Sequence, residues 1–286
     1  MSAFSKITNQ IRKTGNFLLG HATRLAETHP IVWKLAWEAV HRFTFLLPHD
    51  QSYKAFRHFI ALRPQGLFLD VGANDGISVL SFRKFDKKYR ILGLEPNPAL
   101  ETALRRIRSA DPLFEYRMVG AGASPVQLQF FVPIYRKIVL HTFTSSSREQ
   151  VLQSVQQSFG DSVAAITSIS SFQAEIIRLD DLDIDPSIIK IDAEGFDYDV
   201  LKGLEKTIKR SRAFIATEIS SPEFERIKTY MDGLHYVLLS YDVGNDRFSK
   251  ELGSYSASSP ATSGHRNIFA VPEEKLAALP VELLRS

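Results

Sequence analysis

After Pro64 the sequence alternates short apolar runs with helical stretches, and that rhythm restricts the chain to strands joined by helical crossovers in a largely parallel sheet. The runs are Leu67 to Val71, Ile91 to Glu95, Tyr116 to Gly120, Ile188 to Asp192, Phe214 to Ile219, Tyr236 to Tyr241 and Asn267 to Val271. They predict a Rossmann-like α/β core with a seven-stranded, mostly parallel sheet. A chain of 286 residues holds one such domain and an appendage.

The appendage precedes the sheet. Residues 1–60 are expected to form an N-terminal helical extension and residues 61–286 the catalytic domain. In the extension Ile7, Ile11, Phe17 and Leu18, then Val32, Leu35, Ala36, Ala39, Val40 and Phe43, recur at helical spacing. Lys6, Arg12, Lys13, Arg24, Lys34, Arg42, Lys54 and Arg57 face only Glu27, Glu38 and Asp50, so the basic excess lies here. The apolar stripe is expected to pack on the core. The alternative is peripheral contact with an anionic membrane, with Trp33 and Trp37 at the interface.

Between the third and fourth strands lies an insertion: alternating residues Val126 to Ile134, a Ser/Thr-rich stretch Thr142 to Ser147, and a second alternating run Phe172 to Leu179. A hairpin-like cover is expected. The chain has no cysteine, which removes disulfides, thiolate nucleophiles and cysteine-ligated metals. No run of ~20 apolar residues and no leader-like segment is present, so a cytoplasmic protein is expected. A net charge of +3 without interleaved aromatics argues against nucleic acid.

The strongest local signal is Asp70-Val71-Gly72-Ala73-Asn74-Asp75-Gly76, an apolar strand running into a glycine-containing turn that opens a helix. Gly72 and Gly76 are expected to give the backbone room to approach a ligand. A dinucleotide would set its pyrophosphate on this turn, where Asp70 and Asp75 repel it. S-adenosylmethionine has an ammonium and a sulfonium and no phosphate, so carboxylates favour it. The second apolar strand ends in Glu95-Pro96-Asn97-Pro98, and an acid there can accept both ribose hydroxyls. Asp70, Gly72, Asn74, Gly76, Glu95, Pro96 and Asn97 are therefore candidate cofactor residues, with Gly120 beside the adenine.

These stretches, with Leu179-Asp180-Asp181-Leu182 and Lys190-Ile191-Asp192-Ala193-Glu194-Gly195, resemble the FkbM family of methyltransferases. The likeness runs from about Leu67 to Glu218, with an echo at Asn267-Ile268-Phe269. It implies a class I methyltransferase fold, S-adenosylmethionine as donor, and O-methylation of a hydroxyl on a sugar, glycolipid or natural product.

Lys190, Asp192 and Glu194 alternate at a strand end and so project to one side if the strand continues. Methyl transfer from a sulfonium depends on alignment and on an accessible nucleophile whose proton is removed as attack develops. Asp192 is the first candidate for that role and Glu194 the second, with Glu218 a third carboxylate. Glu194 can equally close a helix-start turn by binding backbone amides. Asp192 and Glu218 could instead hold Mg²⁺ with a neighbouring Asp, although no metal is assigned. Two other classes remain: a nicotinamide-dependent oxidoreductase or epimerase on a related fold, and a non-catalytic membrane-surface protein.

Overall fold

The computed structural model describes residues 29–44, 47–193, 195–218, 223–252, 267–280 and 283–285. Contacts divide them into two compact units, one reaching Phe43 and including Gln129–Phe172, the other Thr44–Leu128 with the residues from Gln173 onward. The strands, in chain order, are β1 (Leu67–Val71), β2 (Arg90–Leu94), β3 (Phe114–Arg117), β4 (Gly120–Ala121), β5 (Val126–Tyr135), β6 (Ile138–Val139) and β7 (Thr167–Ile177). Then follow β8 (Ile188–Ile191), β9 (Phe214–Glu218), β10 (Tyr236–Asp242), β11 (Arg247–Ser249), β12 (Asn267–Pro272) and β13 (Leu284–Arg285).

The main sheet has the order β13-β11-β10-β12-β9-β8-β1-β2-β3. From β3 to β9 all neighbours are parallel, while β12 runs antiparallel to both β9 and β10. This is the class I methyltransferase arrangement, extended from the expected seven strands to nine by β11 and β13. Those additions are three and two residues long, too short for a periodic apolar signal. The chain leaves β1 towards β2 and β3 and returns on the other side through β8 and β9. The strand order therefore reverses between β1 and β8, where sheets of this type open a crevice at the carboxyl ends of the strands.

The third strand needs correction. Expected over Tyr116 to Gly120, it is instead Phe114–Arg117, and Gly120–Ala121 leaves this sheet to pair with Ile176 and Ile177 of β7. Phe114 is fully buried, and Glu115 and Arg117 are exposed, which fits an edge strand anchored at its first residue.

Each face of the sheet is covered. On one face, Phe56 and Phe59 of the helix Phe56–Leu62 and Phe82 of the helix Ile77–Phe82 form an aromatic layer. Phe68 stacks on Phe82 with centroids 4.1 Å apart, and Phe59 on Phe214 at 4.4 Å. Residues 56–60, expected in the N-terminal extension, thus pack on the sheet. On the opposite face Val200, Leu201, Ile208, Ile227 and Met231 come from helices Asp197–Gly203, Glu205–Ser211 and Phe224–Gly233.

In the other unit, β5 and β6 form a hairpin around Arg136 and Lys137, both at positive φ, as a two-residue turn requires. The Ser/Thr-rich stretch ends in a helix cap: Ser147 accepts from the Gln150 amide and opens the helix Arg148–Phe159, which buries Val151, Val155 and Phe159. That helix was not expected. Helix Pro30–Phe43 leaves Ile31, Val32 and Leu35 exposed. Ile7, Ile11, Phe17 and Leu18 lie outside the described residues. No described helix is long and apolar enough to cross a membrane.

Candidate active site

The turn after β1 is fixed by its backbone. The Gly72 and Ala73 amides both donate to the Leu94 carbonyl, at 3.0 and 2.9 Å, binding the turn to β2. Gly72 has φ +79°, and a Cβ there would stand 1.9 Å from the Asp192 carbonyl oxygen. Gly76, at φ +87°, would meet the Ile107 side chain at 2.2 Å. Gly72 is therefore demanded both by its φ and by the backbone just beyond β8, whereas Gly76 is demanded chiefly by its φ, since the end of the Ile107 side chain can move. Asn74 also takes a positive φ, which asparagine tolerates, and its Oδ1 accepts from the Asp75 amide.

Glu95 joins the tips of β1 and β2. One carboxylate oxygen accepts from the Asn74 amide and the other from the Asn97 amide, both at 2.9 Å. Asn97 in turn caps the short turn Pro98–Leu100 by accepting from the Ala99 amide. Burial lifts Glu95 to about 7, against the pull of the Asn97 and Asn74 amides. Each oxygen keeps a lone pair beyond its amide bond, so the carboxylate can still accept from a ligand. Gly120 lies against Pro96: a Cβ on Gly120 would be 3.5 Å from the Pro96 Cβ and 2.4 Å from Ile176.

Between β1 and β8 stands an ion network. Asp70 is completely buried, takes a hydrogen bond from the Ser78 hydroxyl, and faces Lys190 at 3.5 Å. Lys190 also meets Asp192 at 3.2 Å and donates to the Gly72 carbonyl at 2.9 Å. Burial alone would lower the lysine, but Asp192 and Asp70 outweigh it and hold Lys190 well above its ordinary value. One ammonium between two carboxylates leaves one negative charge uncompensated. Of the two carboxylates, Asp70 is sealed from solvent, whereas the side chain of Asp192 is 37% exposed.

Strand registers put Gly72, Asp192, Glu218 and Asn267 in one row along the rim, one position beyond Val71, Ile191, Thr217 and Ile268. With strands about 4.8 Å apart, Asn267 lies roughly 10 Å from Asp192. Asn267 donates to Asp50 and Ser52, both at 2.8 Å, so the segment before the first helix of this unit is tied to the far end of the rim. Only the backbone of Glu218 is described, and Glu194 lies outside the described residues.

Asp197, in the first turn of the next helix, escaped the sequence reading. It is buried, accepts from the Thr217 hydroxyl at 3.2 Å, and is pushed up to about 7 by burial and by the charge of Asp192. Its spacing from Asp192 was the available signal, but its burial was not visible in the residues. No cluster of three metal-ligating side chains occurs among the described residues. A partly exposed Asp192 beside an enclosed lysine fits a cationic ligand better than a diphosphate.

Residues 70–242 match the model of the methyltransferase FkbM domain. A search among curated proteins finds no match. Among solved structures, methyltransferase FkbM from Methylobacillus flagellatus KT aligns at 15% identity over 72% of this chain and 43% of its own, with a TM-score of 0.46. This chain therefore spans less than half the length of that protein. Precorrin-6y C5,15-methyltransferase from Geobacter metallireducens GS-15 aligns at 12% identity over 76% of this chain and 85% of its own, with a TM-score of 0.37. At such scores neither likeness bears on the chemistry.

Proposed function

Because this chain belongs to the FkbM methyltransferase family, we propose that it is a methyltransferase that takes its methyl group from S-adenosylmethionine and delivers it to a hydroxyl oxygen of a sugar, glycolipid or natural product. The observation that carries the reading is Glu95, whose carboxylate is bonded at once to the loop after β1 and the loop after β2. One nucleoside can therefore touch both loops. The partly exposed carboxylate of Asp192, at the tip of the strand beside β1, supports a cationic donor and disfavours the dinucleotide alternative.

In this reading Glu95 accepts the ribose hydroxyls, Pro96, Asn97 and Gly120 flank the base, and Gly72, Asn74 and Gly76 shape the turn beneath the amino-acid tail. Asp70 acts from below, through Lys190. When bound, the cofactor supplies an electrophilic methyl group on sulfur. Asp192 accepts the proton of the acceptor hydroxyl as its oxygen attacks, and Glu194 and Glu218 are the further candidates for that role. The exposed Ile31, Val32 and Leu35 beside Lys34 support a peripheral membrane contact for the N-terminal helix.

Calorimetry with S-adenosylhomocysteine tests the donor. The wild type should bind, and Glu95→Ala should weaken binding at least about 30-fold, the value of one or two lost charge-assisted hydrogen bonds. A wild type without affinity ends the reading. Asp70→Ala is a poorer probe, since it leaves Lys190 buried with less compensation.

A further inference from the structure

One buried cation touches neither donor nor acceptor in the chemistry above. Lys190 occupies a strand whose other members, Ile188, Ile189 and Ile191, are fully buried and apolar, and its own side chain is 6% exposed. Burying an ammonium costs several kcal/mol before its partners repay it, and apolar residues of similar volume often stabilise such a place as well or better. Stability is thus a weak reason for a lysine here.

Its partners point to another reason. The Gly72 carbonyl belongs to the turn that seats the donor, and the Asp192 carboxylate is the group offered to the acceptor. Lys190 reaches them at 2.9 and 3.2 Å and rests on Asp70 at 3.5 Å. The surroundings tolerate further cost: the Tyr53 hydroxyl, buried beside Lys190, has no hydrogen-bond partner among the described residues. Unsatisfied polar groups gathered around one ion mark places held for geometry and not for stability.

We propose that Lys190 is a positioning residue that fixes the donor turn and the acceptor-facing carboxylate against each other, so that one ammonium sets both. This rests on the S-adenosylmethionine reading. Removing the lysine loosens the Gly72 carbonyl and frees Asp192 together.

The test uses the full chain, with S-adenosylhomocysteine as probe, and compares wild type, D70N, K190M, K190R and D70N/K190M by calorimetry and thermal unfolding. K190M leaves Asp70 buried without its cation and should melt well below the wild type or fail to fold. D70N/K190M removes both charges and should melt with D70N, yet bind the probe at least tenfold more weakly than D70N. K190R should retain more affinity than the double variant. The Gly72 carbonyl carbon resonance should also move when D70N/K190M is compared with D70N. If the double variant binds within twofold of D70N, or that resonance stays in place, Lys190 serves the fold alone and the proposal fails. Absence of binding in the wild type would instead remove the donor reading, and this proposal with it.

Discussion

The tips of β1 and β8 are neighbours on one rim, and they are built in opposite ways. At β1 the backbone decides: two amides share the Leu94 carbonyl, and Gly72 and Gly76 take conformations and contacts that a side chain would spoil. At β8 the side chains decide: Lys190, Asp192 and Asp197 form a charged group whose meaning depends on which member is buried. A backbone-built tip gives a fixed seat, whereas a side-chain-built tip gives a tunable one. Substitutions at β1 should therefore act on cofactor affinity and stability, and substitution of Asp192 at the β8 tip on transfer, while Lys190, which touches both tips, should act on both.

The largest effect that would sharpen this contrast is Asp192→Asn. Transfer of label from S-adenosylmethionine into acceptors of a cell extract, followed by mass spectrometry, should fall about 10²- to 10⁴-fold, with homocysteine-product affinity little changed. An equal fall in affinity would merge the two tips into one functional unit. Next comes Gly72→Ala, where a methyl group at positive φ meets a backbone carbonyl that cannot yield. A loss of about 3 kcal/mol or more in unfolding free energy is expected, together with cofactor binding. Gly76→Ala meets only the movable end of Ile107 and should cost less, about 1–2 kcal/mol by the same chemical denaturation.

Acidity separates the tips more finely. Glu95 titrates at about 7 in the fold against an ordinary 4.5, so its contribution to stability is full below about pH 4.5 and is lost as pH rises through 7. Ribose hydroxyls need the ionised acceptor. From about pH 5.5 to about pH 8.5 S-adenosylhomocysteine affinity should rise while the melting temperature of the free protein declines. Glu95→Gln should flatten the affinity slope. The stability slope should persist in part, since Asp197 is raised to about 7 as well. The smallest expected effect is Thr217→Val, which removes one hydroxyl from Asp197 and should cost roughly 1 kcal/mol by denaturation.

The β1 tip was legible because its rules are local. A strand, a glycine turn and an acid after the next strand can be read from spacing, and the structure joins them through Glu95. Even so, the reason given for the glycines was incomplete: Asp192 and Ile107 fill the space that had been left for a ligand. The β8 tip resisted because burial is a tertiary property. Asp70 and Asp192 look alike in sequence, yet one is sealed under Lys190 and the other reaches solvent. The third strand was misjudged for a similar reason, since Gly120 follows β7 and not the run of apolar residues before it. The short outer strands β11 and β13 had no pattern to read.

Glu95 holds the loops after β1 and β2 together through two amide bonds before any nucleoside arrives. A cleft assembled in advance loses little affinity to ordering, and in the proposed reading what it grips is the sugar, which spent and fresh methyl carriers have in common. Such a catalyst should be held back by its own by-product, and its pace in the cell would follow the ratio of the two carriers more closely than the amount of either.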